Sequence, residues 1–271
     1  MMRTLLLPAA LAAALAAGCQ TVETTQAGTV GIDRQQSMLV SSEQMNQSAA
    51  KAYADLLAQA KAKNVLDTNP AQVERIRAIA ARLISQSAVF RKDAAAWKWE
   101  THVITSKEVN AWCMPGGKIA VYTGLIEQLK ATDGELAAVM GHEIAHALRE
   151  HGRERASQAM AQSIAISVIG TVAGLPGGAG DLSQMVLDLT FNLPNSRLHE
   201  QEADRIGVEL AARGGYDPRE AITLWEKMGK LGGAQPPQFL STHPSHESRI
   251  SDLKDYSQRV MPLYQQAAAK R

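Results

Sequence analysis

The sequence predicts an α+β fold that is mainly α, with one small antiparallel sheet beside a histidine-bearing helix. Three observations predict it: helical periodicity on both sides of residue 100, three short β-type runs between residues 101 and 122, and a capped helix directly after them. The 271 residues are 45% hydrophobic, 20% charged and 4% aromatic, which excludes a disordered, collagenous or disulfide-framework chain. Lysine and arginine total 28 against 27 aspartates and glutamates, a net charge of +1. Phosphate binding draws on a surplus of cations, so nucleic acid is not an expected partner.

The chain opens with Arg3 ahead of an apolar run from Leu5 to Ala17. A bilayer span needs roughly 20 apolar residues, so residues 1–18 are expected to be a signal peptide. Ala16-Ala17-Gly18-Cys19 resembles a bacterial lipobox, although Leu15 stands four residues before the cysteine where that pattern has leucine three before. Cys19 is therefore the expected lipidation site, and Gln20 after it resembles the outer-membrane sorting class. The expected location is the periplasm, with a lipid anchor in the inner leaflet of the outer membrane. Residues 19–42 are rich in Thr, Gln, Ser and Gly and read as a flexible tether, with the folded domain over 43–271. Cys113 is then the remaining thiol, expected as a small buried residue on a strand.

Glu43 to Lys63 is Ala-rich, and Asn69-Pro70 opens a run in which Val73, Ile76, Ile79, Ala80 and Leu83 keep helical spacing. Thr101 to Thr105, Val109 to Met114 and Lys118 to Tyr122 read as strands, the last two joined by the turn Pro115-Gly116-Gly117. Thr132-Asp133 supplies an N-cap with Glu135 in the first turn, and a helix is expected from about Gly134 past Gly152. The uncharged stretch Ala156 to Gly180 is interrupted by Gln158, Gln162, Ser163 and Ser167. It reads as a helix running into a mobile glycine-rich flap rather than as a membrane span. Another helix covers about Ser196 to Arg213 and stops at Gly214-Gly215; Asp217-Pro218 starts the next, through Trp225 to Met228.

His142-Glu143-Ile144-Ala145-His146 lies inside a predicted helix. At about 100° per residue, His146 sits about 40° from His142 and one turn further along, so both imidazoles can reach one metal ion. Leu136, Met140 and Ile144 project from another face and can pack into a core. A catalytic zinc takes three protein ligands and keeps one position open. His151 follows His146 with no intervening glycine, so a continuing helix carries it away, and it reads as a helix-end residue. His199-Glu200-Gln201-Glu202-Ala203-Asp204 supplies better donors. Glu200 and Asp204 share a face, so Glu200 can ligate while Asp204 holds a ligand histidine through its other ring nitrogen. Spacing alone leaves both Glu200 and Glu202 open as the third ligand.

His142-Glu143-x-x-His146 with Glu200-x-x-x-Asp204 resembles the gluzincin metalloproteases of the HtpX and CAAX prenyl endopeptidase family, most of all periplasmic lipoprotein members of the BepA and LoiP type. The resemblance extends to Asn110–Ile119 and to Ser241-Thr242-His243-Pro244 with Arg249, and covers about residues 70–250. It implies a zincin-type metalloprotease core and one Zn2+ per chain held by His142, His146 and Glu200, with Asp204 behind them. A bound zinc lowers the pKa of water from 15.7 to about 7, and Glu143 is implied as the general base that takes the proton. His243 or Arg249 is implied to stabilise the oxyanion, and a matching histidine gates the metal site in periplasmic relatives. His199 and His246 are expected at the surface.

The resemblance also implies that Asn110, Ala111 and Trp112, with the turn Pro115, Gly116 and Gly117, pair main chain to main chain with an extended substrate. Such pairing suits unfolded or misassembled envelope polypeptides, and the implied partners include outer-membrane assembly machinery. Only 22 residues follow Arg249, too few for a tetratricopeptide repeat of about 34, so no repeat domain is expected in this sequence. Two other functions use the same ligands: a metal-bound assembly factor whose flap stays closed, and an amidase of cell-wall peptides, which the substrate strand argues against.

Overall fold

The computed structural model describes residues 20–172, 181–231, 237–244 and 248–270, with the backbone alone over 165–172. The signal peptide expected over residues 1–18, lipidation at Cys19, the glycine-rich end of the flap over 173–180, and His246 lie outside the described residues.

In chain order the elements are β1 (Gln20–Val22), β2 (Gln36–Met38), α1 (Ser42–Ala62), α2 (Pro70–Ile84), two short 3-10 turns, β3 (Glu100–Ile104), β4 (Ala111–Met114) and β5 (Lys118–Tyr122). There follow α3 (Thr123–Gln128), α4 (Asp133–Leu148), α5 (His151–Val172), α6 (Leu182–Phe191), α7 (Arg197–Arg213), α8 (Glu220–Lys230), α9 (Gln238–Thr242) and α10 (Ser248–Ala268). The fold is α+β and mainly helical, as the periodicity predicts. Among the described residues no helix is long and apolar enough to cross a membrane.

The larger sheet has the order β3-β5-β4. β4 and β5 form the expected antiparallel pair across Pro115-Gly116-Gly117, where Gly116 and Gly117 take φ of +79° and +82°. β3 departs from expectation by pairing parallel to β5. The chain crosses from β3 to the far side of the sheet before β4 begins, so β5 runs down the middle and β4 is left at an edge.

Residues 20–42, expected as a tether, are instead folded onto the domain. β1 and β2 pair antiparallel, Val30 and Ile32 enter the main core with Phe90, and Met38 and Val40 are buried. Composition misleads here because the polar side chains are themselves used: Arg34, Gln36, Thr24 and Thr25 bond into the helices beneath.

α4 is capped by the reciprocal bonds of Thr132 and Glu135, and Glu135 is tied to Lys227 at 2.7 Å. Leu136, Met140 and Ile144 are fully buried in the main core with Leu125, Ile206 and Leu210. α7 packs along α4, and the two approach most closely at Gly141 and Gly207. A Cβ on Gly207 would stand 2.8 Å from the backbone nitrogen of His142. A second, smaller cluster joins α1, β4, α5 and α6 through Met45, Tyr53, Trp112, Met114, Val186 and Leu189. The sequence reading did not foresee α6, whose N-cap is Asp181.

Because no side chain fits at the crossing, Gly207→Ala should lower stability by about 1–3 kcal/mol, the usual cost of overpacking. A urea midpoint equal to that of the wild type would show that α4 and α7 do not meet backbone to backbone.

Candidate active site

α4 presents His142 and His146 to α7, which returns Glu200 from its first turn. His142 Nε2 lies 3.0 Å from His146 Nε2, and the Glu200 oxygens lie 3.4 Å from His142 Nε2 and 3.3 Å from His146 Nε2. Donors each about 2.1 Å from a tetrahedral ion stand about 3.4 Å apart, so this spacing fits a divalent metal. His243, just past α9, brings Nδ1 within 3.0 Å of Glu200 and 3.2 Å of His142. The ligand atoms of all four residues lie within 4.8 Å of one another, and all four residues are buried. Burial pulls His146 well below the usual imidazole range. The charge on Glu200 and the Asp204 hydrogen bond overcome burial at His142 and push it up.

Asp204 Oδ1 lies 2.9 Å from His142 Nδ1, which leaves Nε2 for the metal. Arg249, at the start of α10, donates to Glu200 at 2.9 Å and to Asp204 at 2.7 Å, with its guanidinium 3.3 Å over the Trp225 ring. The expectation that Arg249 stabilises an oxyanion is therefore corrected. Its terminal nitrogens are committed to two buried carboxylates, Glu200 and Asp204. Glu200 is held well below the usual carboxylate range; burial opposes its ionisation, but the His243 and His142 rings outweigh it. Trp225 and Phe239, on which His243 stacks at 4.3 Å, are site residues that no local motif marked.

Glu143 points into the site from the same helix. A backbone hydrogen bond from Cys113 reaches its carboxylate, and burial raises its pKa above the ordinary value. Among the described residues Glu143 Oε1 has no hydrogen-bond partner; His243 Nε2 is 3.4 Å away. Cys113 lies on β4, half-buried, and burial pushes its thiol well up, as suits an inert side chain.

Of the expected substrate strand, Ala111 and Trp112 lie on edge strand β4, while Asn110 precedes it and turns its side chain onto the Ala111 N–H. Pro115 lines the cavity beside Glu143. Gly116 and Gly117 serve the hairpin turn, where Gly117 faces Trp99 and Gly116 faces Asn46. α6 lies across this face, with Phe191 packed edge-on against Trp112 at 5.7 Å. A cavity of about 60 Å³ beside it is bounded by Met45, Trp112, Val186, Leu189 and His243.

His151 and His199 need correction too. α4 does not run past Gly152: it ends at Leu148, and Glu150 takes φ of +52° before α5 starts. Ser42 and Arg153 hold the Glu150 carboxylate and with it this uncommon conformation. The reversal brings His151 Nδ1 to 2.8 Å from His146 Nδ1. His151 Nε2 in turn lies 2.9 Å from Glu202. Glu202 thus faces away from the metal donors, which separates it from Glu200. His199 is buried rather than at the surface, stacked on His151 at 4.4 Å and 3.2 Å from Glu154.

A capped helix carrying two imidazoles and a carboxylate base, met by a carboxylate from a second helix, defines a metallopeptidase of the zincin type. The sequence profile of Peptidase family M48 matches residues 70–257, and the chain belongs to that family. It is 40% identical over 175 residues to the mitochondrial metalloendopeptidase OMA1 of Arabidopsis thaliana, covering 64% of this chain and 35% of that protein. The Saccharomyces cerevisiae protein of the same name is 34% identical over 178 residues, 63% of this chain and 50% of its own length. The beta-barrel assembly-enhancing protease of Escherichia coli K12 is 26% identical over 213 residues, 75% of this chain and 42% of that protein. The chain thus spans half or less of the length of these relatives.

Burial lowers His151 to about 3, and Glu202, where the His151 and Arg34 hydrogen bonds overcome burial, falls to about 2. In the unfolded chain their ordinary values are 6.5 and 4.5. Both folded values are depressed, so the stability they contribute is complete above pH 6.5 and drains away as pH falls towards 3 and then 2. Urea midpoints of metal-free protein should therefore fall between pH 7 and 3, and less steeply in His151→Phe; equal slopes would contradict the assignment.

Removing Arg249 strands two buried carboxylates. Arg249→Met should cost about 3–5 kcal/mol in thermal or urea unfolding. A loss below 1 kcal/mol would mean that Glu200 and Asp204 do not depend on it.

Proposed function

We propose that this protein is a zinc-dependent endopeptidase that hydrolyses peptide bonds of misfolded or stalled envelope proteins in periplasmic and outer-membrane protein quality control. The observation that carries the chemistry is the convergence of His142, His146 and Glu200 with Glu143 beside them, whose Oε1 has no hydrogen-bond partner among the described residues. Two imidazoles, one carboxylate and a fourth position open to exchange are a zinc donor set. When bound, zinc supplies Lewis acidity and a water acidified to a pKa of about 7.

The remaining work falls to side chains. Glu143 accepts the proton of the attacking water and, with a pKa raised by burial, can hold it and pass it to the leaving amine. Asp204 and Arg249 keep His142 and Glu200 in place throughout. His243 occupies the side of the site opposite the helix, within reach of Glu200 and Glu143, and its withdrawal opens the position a substrate carbonyl needs. β4 offers an unpaired strand edge to an extended chain, so selectivity falls on unfolded backbone rather than on sequence. The cavity beside Glu143 is lined by α6 and by His243, so a bound chain would lie against both.

The envelope location rests on the signal-like and lipobox-like N-terminus, with lipid at Cys19 as membrane anchor. The relative named for enhancing beta-barrel assembly supports outer-membrane assembly machinery as a partner. The mitochondrial relatives support the endopeptidase chemistry. A second reading, a metal-bound assembly factor, predicts that envelope defects are rescued equally by wild type and Glu143→Gln.

Purified protein should contain one zinc per chain and cut casein, and chelation should stop it. Glu143→Gln should keep the zinc yet lose cleavage by at least about 100-fold, the scale of general acid–base catalysis. Cleavage retained in that variant would overturn the mechanism.

A further inference from the structure

The strap of residues 20–40 lies outside the region matched to the peptidase family, which begins at residue 70. It is nevertheless bonded to the polar network directly behind His146. Arg34 donates to Glu202 at 2.7 Å and pairs with both oxygens of Glu154 at 2.7 and 2.8 Å. Gln36 donates to Glu154 at 2.6 Å and to the Arg149 carbonyl at 2.8 Å. Arg149, wholly buried, returns bonds to Glu202, to Thr24 and Thr25, and to the Arg34 carbonyl. Two guanidiniums thus face two carboxylates in a buried layer, and a cation missing from it leaves a buried anion unpaired.

Glu202 is the carboxylate that bonds His151, and His151 is the group that bonds His146. Two nitrogens facing each other at 2.8 Å need one proton between them. For His146 to offer a lone pair at Nε2, its proton must sit on Nδ1 and be donated to His151 Nδ1. His151 then carries its own proton on Nε2 and donates it to Glu202. Only this assignment satisfies all three groups with both rings neutral. His142 reaches its carboxylate, Asp204, directly; His146 reaches Glu202 through an additional ring.

We propose that the N-terminal strap is part of the metal site: through Arg34 on Glu202 and the His151 bridge, it sets the tautomer and ring orientation of His146. Arg34, Glu202 and His151 are positioning residues in this scheme, and the inference rests on the reading that His142, His146 and Glu200 hold the metal. A carboxylate behind a ligand histidine raises its basicity and fixes its ring, and losing such a partner costs typically 10- to 100-fold in metal affinity.

The test is the zinc dissociation constant of the purified full chain, measured by competition with a chromophoric chelator. His151→Phe fills the ring's space without nitrogens and should weaken zinc binding by about 10- to 100-fold. His151→Gln should recover much of the loss, because its carbonyl can accept from His146 and its amide can donate to Glu202. Arg34→Met, at the partly exposed end of the network, should weaken zinc in the same direction while the fold is retained by circular dichroism, and it decides the matter if His151→Phe does not fold. Wild-type zinc affinity in His151→Phe or, where that variant is unfolded, in Arg34→Met would overturn the proposal, as would equal affinities in the Phe and Gln variants. His142→Ala separates the two readings. Undiminished zinc binding there, or no zinc in the wild type, removes the metal site itself and this inference with it.

Discussion

The backbone contact between α4 and α7 at Gly141 and Gly207 is the constraint on which the rest of the structure depends. Ligand atoms 3.0 to 3.4 Å apart on two different helices require the helix axes to approach more closely than ordinary side chains allow. The crossing also fixes which turn of α7 meets which turn of α4. Asp204 thereby meets the Nδ1 of His142 while Glu200, one turn earlier, meets the Nε2 side of both rings. A shift of one residue in α7 would put His199 or Gln201 where Glu200 stands and leave the metal side without its carboxylate.

Such a site concentrates charge where water does not reach. Glu200, Glu202, Asp204 and Glu154 are all buried, and each is answered by a cation or an imidazole. Two distant segments supply the arginines: α10 brings Arg249 to the metal side, and the strap brings Arg34 to the far side, where Arg149 joins it. The fold is therefore tied by electrostatics to both chain-distant ends, and protein bonds fix the positions of the donors. Such preorganisation lowers the cost of binding a metal.

The same packing narrows the site. α6 lies across one face of β4, where Phe191 sits on Trp112, and His243 stands near Glu143. The way to the metal donors therefore runs between α6 and the segment around His243.

Much of the site was legible in the sequence because it lies within single helices. Periodicity places His142, Glu143 and His146 on one face of α4 and Glu200 with Asp204 on one face of α7, and a capping signal at Thr132-Asp133 locates the start of α4. Local pattern could not reach what depends on chain reversal or distance. Glu150 in a left-handed conformation turns His151 back towards His146, and nothing about a glutamate announces that. The polar composition of residues 20–42 suggested a tether, because the carboxylates that bind Arg34 and Gln36 lie more than a hundred residues away. The placement of Arg249, Gly141 and Gly207 was likewise decided only when α4, α7 and α10 met, and so was the separation of Glu200 from Glu202, which spacing alone left open and only the family resemblance had made. Helical geometry is set by neighbours in sequence, whereas the pairing of buried charges is set by which helices pack together.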